Sequence, residues 1–490
     1  MVDYDVIVVG AGNAALSASV SARNSGAQRV LVLEKASEDL RGGNTHYSGG
    51  LLRMAFERTE DILRLMPKAR ELEGFVEGVE AYPAQAFHAD LNRMTSGRSD
   101  PELSHILISN SYETACWMAE QGIRFEPAIS LGAVKVAGVI KWPKGAIVRA
   151  ANEGVGLSRM WFAIAQRMGV EIRYNTAAVR LVQSSQGRVC GVVVRDPNGI
   201  QELSARSVVL GCGGFEANIA WRAQYLGRPW DHAKVRGTKY NQGDGLRMAL
   251  EIGAMPWGQW SGCHATPINA EAPAYGDRQL TDKTNRLSYL YGVMINRMGL
   301  RFVDEGEDQA LFTYAKFGGA ILNQPGGVAY QIFDAKVNAL LEPRYATSQP
   351  IVAERLDDLV RKLDVDQETA LRTLKDFNAA AGYRGFNPGE RDGMATRGLT
   401  LPKSNWAQKL DVAPFSAYPV TGGITFSFGG LKINDRGQVL GTDWNPLAGL
   451  YTCGEMVGGL FHHNYPGGSG LMSGAVFGKI AGASAAADRD

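Results

Sequence analysis

The stretch from Asp5 to Glu34 constrains the fold of this chain more than any other feature. After Asp5, residues 6–9 are an apolar run typical of a buried strand, and the sequence Gly-Ala-Gly-Asn-Ala-Ala that follows (residues 10–15) opens a helix. A second apolar run, residues 30–33, ends in the acid Glu34. This order of strand, glycine turn, helix, strand and acid is the dinucleotide-binding βαβ pattern in its G-x-G-x-x-A form.

Each position in this pattern has a physical role in holding a dinucleotide. Gly10 permits the tight turn, and Gly12 lets the backbone approach a pyrophosphate. The helix that begins at Asn13 and Ala14 presents free N–H groups and the positive end of its dipole to the phosphates. Glu34, with Lys35 beside it, lies where a carboxylate accepts both ribose hydroxyls. An ordinary βα turn is the alternative, and the complete pattern disfavours it.

Composition excludes several classes of function. A chain of 490 residues exceeds a single core, so we expect two or three domains. The 51 basic and 50 acidic residues give a net charge of +1, which does not favour a nucleic acid or an anionic membrane as partner. The five cysteines are dispersed without a C-x-x-C pair, and no apolar run is long enough to span a bilayer. We therefore expect a soluble, cytoplasmic protein with reduced thiols and no metal site.

A glycine-rich run follows the first βαβ unit. The pairs Gly42-Gly43 and Gly49-Gly50 bracket the small polar side chains of Asn44, Thr45 and Ser48, a pattern that suits backbone lying along a flat ring. Here the chain resembles the fumarate reductase and succinate dehydrogenase flavoprotein superfamily, in which such a run passes the isoalloxazine of FAD. Membrane members of that superfamily attach the flavin to a histidine just before the threonine. Because Asn44 stands at that position, the resemblance implies non-covalent FAD.

Further cofactor-binding residues follow from the same resemblance, and they come from both ends of the chain. They are Ala178 and Val179 in a strand, Gly213 after a core strand, Asp244 at a helix start, Gly454 and Glu455 after a short strand, and Gly470, Leu471 and Ser473 at the start of the last helix. Asp244 could instead cap its helix.

The predicted fold class is α/β. We expect a Rossmann-like FAD-binding domain of the glutathione-reductase type, formed by residues 1–262 and 427–490, with an inserted α+β capping domain at 263–426. Within the capping domain, amphipathic patterns predict helices at 352–363 and 366–381.

The resemblance runs from end to end and is strongest to the tricarballylate dehydrogenase branch, with a more distant likeness to 3-ketosteroid dehydrogenases. His264 matches the first substrate histidine of fumarate reductases. Their second histidine is replaced by Phe426, and their clamp arginine, which follows an asparagine, is replaced by Tyr465 after Asn464. The window of their proton-donor arginine holds Tyr314 and no arginine. These differences argue against succinate or fumarate as the substrate.

Ketosteroid dehydrogenases use a tyrosine near each of the two missing arginine positions. The resemblance therefore implies that Tyr314 removes an α proton, while Tyr465 and the Gly470 N–H stabilise the enolate oxygen; the reverse assignment of the two tyrosines stays open. His264 would orient the substrate, and Arg236 is the remaining cation for a substrate carboxylate. The expected reaction is FAD-dependent oxidation of a CH–CH bond beside a carbonyl of a cyclic ketone or small carboxylate, or the reverse reduction of an activated alkene.

Two other functions remain open at this point: a tricarballylate-type dehydrogenase, and a flavin-binding electron-transfer subunit without a substrate of its own. A reductase that takes electrons from NAD(P)H is disfavoured, because the sequence has no second G-x-G-x-x-G. The electron acceptor is unidentified. Each of Tyr314, Tyr465 and His264 could also be a simple packing residue, and Arg236 could form a surface ion pair.

Overall fold

The computed structural model describes residues 2–382 and 385–488. Its strands are β1 Tyr4–Val9, β2 Val30–Leu33, β3 Leu51–Leu52, β4 Phe125–Pro127, β5 Val134–Val136, β6 Val139–Lys141, β7 Val148–Ala150, β8 Glu171–Arg173, β9 Ala177–Gln183, β10 Val189–Asp196, β11 Gly199–Leu210, β12 Lys234–Val235, β13 Pro256–Asn269, β14 Val293–Asn296, β15 Val328–Phe333, β16 Ile351–Ala353, β17 Phe415–Leu431, β18 Gln438–Leu440 and β19 Pro446–Thr452. Its α-helices are α1 Asn13–Asn24, α2 Thr59–Leu65, α3 Ala84–Met94, α4 Pro101–Gln121, α5 Glu153–Arg167, α6 Ile219–Trp221, α7 Asp244–Glu251, α8 Ala310–Leu322, α9 Leu356–Arg361, α10 Gln367–Ala380 and α11 Ser469–Ala487.

An eight-stranded sheet contains the N-terminal βαβ unit. Its central strands run in the order β8-β2-β1-β11-β19, and all of them are parallel. The antiparallel strand β18 flanks β19, while β10 and β9 extend the sheet from β11. Because the carboxyl ends of parallel strands meet at one edge, the turns after β1, β2 and β11 are gathered there. That edge is where the sequence predicts the cofactor.

The two ends of the chain meet through helices α1 and α11, which lie side by side. A Cβ atom added to Gly478 would lie 2.4 Å from the Ala14 carbonyl oxygen, and one added to Gly482 would lie 2.1 Å from that of Ala18. Only glycine permits such a close approach of two helix backbones. This contact supports the prediction that the first domain needs both ends of the chain.

A six-stranded sheet forms the second layer of the molecule. The long strand β17 lies at its centre and pairs with β12, β13, β15 and β16, while β14 pairs with β15. The sheet extends beyond the predicted domain boundaries, because β13 begins at Pro256 and β17 ends at Leu431. The division at 263 and 426 therefore stays a prediction, and no break in secondary structure coincides with it.

One predicted helix of this layer is confirmed and the other begins too early. Helix α10 occupies Gln367–Ala380, as expected for 366–381. In the segment 352–363, however, Ile351–Ala353 form strand β16 on the edge of β17, and the helix is limited to Leu356–Arg361. Two adjacent β-branched residues, Ile351 and Val352, pair with a sheet edge more readily than they continue a helix.

Among the described residues, no helix combines the length and apolar character that crossing a membrane requires.

Candidate active site

A cavity of about 250 Å³ lies between the two sheets and is lined by residues of both. Nearly all the residues predicted to bind the cofactor line it: Gly10, Gly12, Asn13, Ala14, Glu34, Lys35, Gly43, Asn44, Thr45, Ser48, Gly49, Gly50, Ala178, Gly213, Asp244, Gly454, Glu455, Gly470, Leu471 and Ser473. The predicted catalytic residues Tyr314, Tyr465 and Arg236 line it as well. These residues therefore line one continuous cavity, and their roles in binding and catalysis stay predictions.

Two residues predicted to contact the cofactor do not line this cavity. Val179 follows Ala178 in strand β9, and successive side chains of a strand point to opposite faces. Gly42 has a φ of 102°, and a Cβ atom there would lie 2.4 Å from Ser158 Oγ of helix α5. A glycine is required at position 42 by this packing against α5 and not by a ligand in the cavity.

The starts of helices α1 and α11 converge at the cavity. Asn13 joins them, because its Nδ2 donates to the Leu471 carbonyl at 2.8 Å and its Oδ1 accepts from Trp161 Nε1 at 2.9 Å. The N–H groups of Ala14 and Gly470, each in a first helical turn, have no acceptor among the described residues. Two helix N-termini with free donors suit the pyrophosphate and the anionic ring positions of a flavin dinucleotide.

The space around the glycines also fits a dinucleotide. The protein atom nearest to a Cβ atom placed on Gly12 is Thr45 Oγ1 at 3.5 Å, and for Gly43 it is the Gly12 Cα at 4.0 Å. These glycines therefore leave open space facing the cavity, whereas Gly10, with φ 101°, is packed against Gly211. The chain thus leaves room for the phosphates at the position where the βαβ pattern predicts them.

Glu34, the acid that ends the βαβ pattern, lies at the end of β2 beside the cavity. It is buried, and its Oε1 accepts the Ala36 N–H at 2.8 Å. Burial raises the pKa of Glu34, with backbone N–H groups opposing that shift. Asp244 does not cap α7, since Gly243 occupies the N-cap position, and its carboxylate pairs with Lys35.

Asn44, at the position of the histidine in covalent flavoproteins, connects four segments through its side chain. Its Nδ2 donates to Glu216 Oε1 and to the Thr425 carbonyl, both at 2.6 Å. Its Oδ1 accepts the Thr238 N–H at 2.8 Å. The amide offers no nucleophile for a flavin, so the expectation of non-covalent FAD stands as a prediction consistent with this residue.

The two predicted catalytic tyrosines lie in contact. The hydroxyl groups of Tyr314 and Tyr465 form a hydrogen bond, and both side chains are buried against the cavity. Burial raises the pKa of Tyr314 well above its ordinary value, and the neighbouring Tyr465 raises it further. Burial also raises the pKa of Tyr465, while the hydrogen bond from Tyr314 opposes that shift. In the resting protein both phenols are protonated at neutral pH.

Hydrogen bonds to two backbone carbonyls explain why Tyr314 and Tyr465, which are far apart in sequence, meet. Asn464 Nδ2 donates to the Phe312 carbonyl at 2.7 Å, and the Gly467 N–H donates to the Leu311 carbonyl at 2.9 Å. The first turn of α8 is thus joined to the loop before α11. One turn beyond Tyr314, Gly318 lets α8 lie directly on β13, because a Cβ atom there would be 2.4 Å from the Ala265 carbonyl carbon.

His264 lies behind the tyrosines and does not line the cavity. Its ring is stacked on Phe426 with 5.2 Å between centroids and meets Tyr314 and Tyr465 edge-on at 4.8 and 5.0 Å. Neither ring nitrogen has a hydrogen-bond partner among the described residues. Burial holds the pKa of His264 well below its ordinary value, and Arg236 lowers it further. The histidine is therefore neutral, and it contacts a substrate only through the tyrosine rings.

Arg236 belongs to a buried ion-pair network and not to a surface pair. Its Nη1 donates to Asp282 Oδ1 at 2.7 Å, and its Nε donates to Thr425 Oγ1 at 3.1 Å. The other carboxylate oxygen of Asp282 accepts from Arg344 Nη1 at 2.7 Å, and Arg344 also pairs with Glu342 at 3.0 Å. Arg236, Asp282 and Arg344 all line the cavity, so two cations and one anion face it.

Replacing Arg344 with methionine is expected to lower the free energy of unfolding by about 3–5 kcal/mol, because Glu342 loses its partner inside the protein. Urea unfolding followed by circular dichroism measures this change. As a matched control, Arg361→Met removes an ion pair in which the arginine side chain is 62% exposed. That variant is expected to change stability by no more than about 0.5 kcal/mol. An equal loss of unfolding free energy in both variants would show that the buried ion pairs stabilise the fold no more than the exposed pair does.

Sequence reasoning missed Asp282 and Arg344, although both face the cavity. Both lie within short 3₁₀ turns, Thr281–Thr284 and Pro343–Thr347, where charged residues are normally solvated. Neither carries a spacing or periodic signal, and only the fold brings them to Arg236.

Comparison with known proteins agrees with this geometry. Residues 5–471 match a family model described as FAD binding domain. The chain is 29% identical over 488 residues to a probable fumarate reductase, Ifc3, of Shewanella frigidimarina, covering 98% of this chain and 74% of that protein. It is 26% identical over 547 residues to 4-oxocyclohexanecarboxylate 2-dehydrogenase of Sinomonas cyclohexanicum, covering 96% and 90%.

A solved structure shows the same fold. The 3-ketosteroid Δ1-dehydrogenase of Sterolibacterium denitrificans, solved with 1,4-androstadiene-3,17-dione, superposes with a TM-score of 0.76 at 20% identity, covering 99% of this chain and 100% of that one. None of the comparisons supports the tricarballylate-type alternative. The chain belongs to the FAD-binding-domain family within the fumarate reductase and succinate dehydrogenase flavoprotein superfamily, and it is an FAD-dependent oxidoreductase that acts on C–C or C=C bonds.

Proposed function

We propose that this protein desaturates a cyclic ketone at the CH–CH bond beside its carbonyl. The observation that carries the proposal is the hydrogen-bonded pair of phenols, Tyr314 and Tyr465, next to the free N–H of Gly470. A Cβ atom on Gly470 would lie 3.9 Å from the Tyr465 ring, so the phenol and the amide are neighbours. A hydroxyl and an N–H this close together can both donate to an enolate oxygen and stabilise the negative charge that develops on it.

The roles of the chain's residues follow from this geometry. A substrate carbonyl oxygen takes the place of Tyr314 beside the Tyr465 hydroxyl, which then donates a hydrogen bond to it, and it accepts a second hydrogen bond from the Gly470 N–H. Tyr314 acts in its deprotonated form, which is a small fraction at neutral pH, and it becomes protonated when it removes the α proton. FAD supplies the acceptor for the hydride that leaves the β carbon. The reverse direction, reduction of an activated alkene, uses the same groups, and the electron partner is a further small molecule or protein of unknown identity.

The surrounding residues position this pair. His264 packs against both phenol rings, and Phe426 packs against that of Tyr465, so these contacts restrict the ring planes. Arg236 lowers the pKa of each tyrosine through its charge, although burial outweighs this effect. Because Asp282 already pairs with Arg236 and Arg344, a substrate carboxylate must compete with it for these cations. A ketone therefore suits the site better than a dicarboxylate. A cyclic ketone that carries one carboxylate is also a candidate substrate.

Anaerobic reduction of the bound flavin by single candidate substrates tests this function. We expect cyclohexanone derivatives, 4-oxocyclohexanecarboxylate or a 3-ketosteroid to bleach the flavin absorbance, and succinate and tricarballylate to leave it unchanged. Dithionite serves as the control that the flavin is reducible. Bleaching by a carboxylate without a ketone, and by none of the ketones, would contradict the proposal.

The rate of this flavin reduction is expected to rise about tenfold per pH unit through the neutral range and to reach no plateau below about pH 9. Burial raises the pKa of Tyr314, so only a small fraction of this base is deprotonated at pH 7, and that fraction grows as the pH rises. Stopped-flow measurement at saturating ketone between pH 6 and 9 gives the slope. A flat profile, or a plateau that begins near pH 7, would rule out a phenol as the base.

A further inference from the structure

A second cavity, of about 810 Å³, lies beside the cavity predicted to bind FAD, which we call the flavin cavity. One wall is the segment 126–143, which includes the hairpin of β5 and β6. The opposite walls are residues 287–291, the start of α8, the loop 339–343 and residues 388–389. Its lining is dominated by apolar side chains, among them Ile129, Val134, Trp142, Leu290, Leu340 and Leu341.

Three leucines separate the two cavities. Leu131, Leu287 and Leu311 line both of them. Leu311 lies one helical turn before Tyr314 on α8, so it is on the same face as the phenol. Leu131 reaches the glycine run, because a Cβ atom on Gly49 would lie 3.4 Å from its Cδ2. The two cavities are therefore adjacent at the end of the first that holds Tyr314, and only apolar side chains lie between them.

The charged residues around the second cavity are already paired. Lys135 pairs with Glu73 at 2.9 Å, Lys141 with Glu80 at 3.8 Å, and Arg149 with Glu126 at 2.9 Å. Glu342, the acid at the inner end, pairs with Arg344. An anionic ligand would have to displace one of these partners, whereas an uncharged apolar ligand would not.

We propose that this second cavity holds an uncharged, apolar body that extends from the reacting ring past Leu131, Leu287 and Leu311, the side chains that lie between the two cavities. This inference rests on the proposed ketone oxidation and narrows its substrate class. The favoured substrate is a cyclic ketone with a second apolar ring or chain. The whole molecule is longer than the space that the flavin cavity offers a substrate beside FAD. Small ketones would react without filling the second cavity.

Two ketones and two variants test the inference. Wild-type protein with FAD bound is compared on cyclohexanone and on 4-cyclohexylcyclohexanone, which adds an uncharged apolar ring. The extended ketone is expected to half-saturate flavin reduction at a concentration at least about 10-fold lower, as expected for burying several methylene groups. Leu340→Trp, and in a second variant Ala339→Trp, should remove this advantage by filling the cavity and leave the reaction of cyclohexanone unchanged. Leu300→Trp, after the turn that follows β14, is the matched control, because Leu300 is exposed.

Equilibrium dialysis of the extended ketone against the oxidised protein separates this inference from the proposed function. If neither ketone reduces the flavin, but wild type binds the extended ketone and both tryptophan variants do not, the ketone oxidation is wrong and the cavity inference stands. Equal affinity of wild type for both ketones, or equal losses for both ketones in the variants, would overturn the cavity inference.

Discussion

Replacing Tyr465 with phenylalanine is expected to slow the reduction of bound FAD by a saturating ketone about 100-fold, the usual cost of one oxyanion donor. The ring remains to pack against His264, Phe426 and Phe461, so the site should keep its shape. Only the hydroxyl is lost, and the Gly470 N–H is left as the single donor. Stopped-flow single turnovers measure this effect without interference from the unknown electron acceptor.

The control for Tyr465→Phe is Tyr330→Phe in strand β15. The Tyr330 hydroxyl accepts one hydrogen bond from the Asp364 N–H at 3.3 Å, and this tyrosine does not line either cavity. The Tyr330→Phe variant should bind FAD and reduce it at the wild-type rate. If Tyr465→Phe also reduces its flavin at the wild-type rate, Tyr465 has no part in the reaction and the enolate mechanism loses its main donor.

The substitution Gly12→Asp is expected to weaken FAD binding about 1,000-fold, because two like charges about 4 Å apart near a protein surface repel by about 4 kcal/mol. The residue has an ordinary extended backbone with φ −82° and ψ −179°, and a Cβ atom there meets nothing closer than 3.5 Å. The apoprotein should therefore tolerate the side chain. The carboxylate would point into the space predicted for the pyrophosphate.

Flavin titration followed by fluorescence quenching measures this affinity, and thermal unfolding of the apoprotein checks the fold. Gly12→Ala is the matched control for bulk without charge and should lose far less affinity. Gly10→Ala should instead damage the fold itself, since a Cβ atom at Gly10 would lie 2.6 Å from the Gly211 carbonyl oxygen. Unchanged FAD affinity in Gly12→Asp would place the pyrophosphate elsewhere.

Much of the cofactor half of the site could be predicted from sequence because its signals are local. The βαβ pattern around Gly10 and Glu34 and the paired glycines at 42–43 and 49–50 each specify a backbone conformation within a few residues. The tyrosines were found differently, through the resemblance, since nothing in the residues around Tyr314 or Tyr465 marks them as neighbours. Their meeting depends on hydrogen bonds between α8 and the loop before α11.

The remaining features arise from tertiary contacts that sequence patterns do not encode. Asp282 and Arg344 are brought to Arg236 by irregular loops, and the second cavity exists only where five separate segments meet. The predicted helix at 352–363 was wrong at its start because an edge of β17 was available for Ile351 and Val352 to pair with. His264 was identified as a site residue, yet only the packing shows that three aromatic rings stand between it and the cavity.

Hydrogen exchange at the α carbon tests the central claim most directly, because it isolates proton removal from hydride transfer. With the flavin reduced by light beforehand, the protein cannot accept a hydride from a cyclic ketone, but Tyr314 and Tyr465 can still form the enolate. In deuterated water, mass spectrometry should show deuterium entering the α position of the ketone with wild-type protein. The exchange should fall to the buffer rate in Tyr314→Phe and should be about 100-fold slower than wild type in Tyr465→Phe. Oxidised wild-type protein that reduces its flavin with the same ketone, while the reduced protein exchanges no α hydrogen above the buffer rate, would contradict the account.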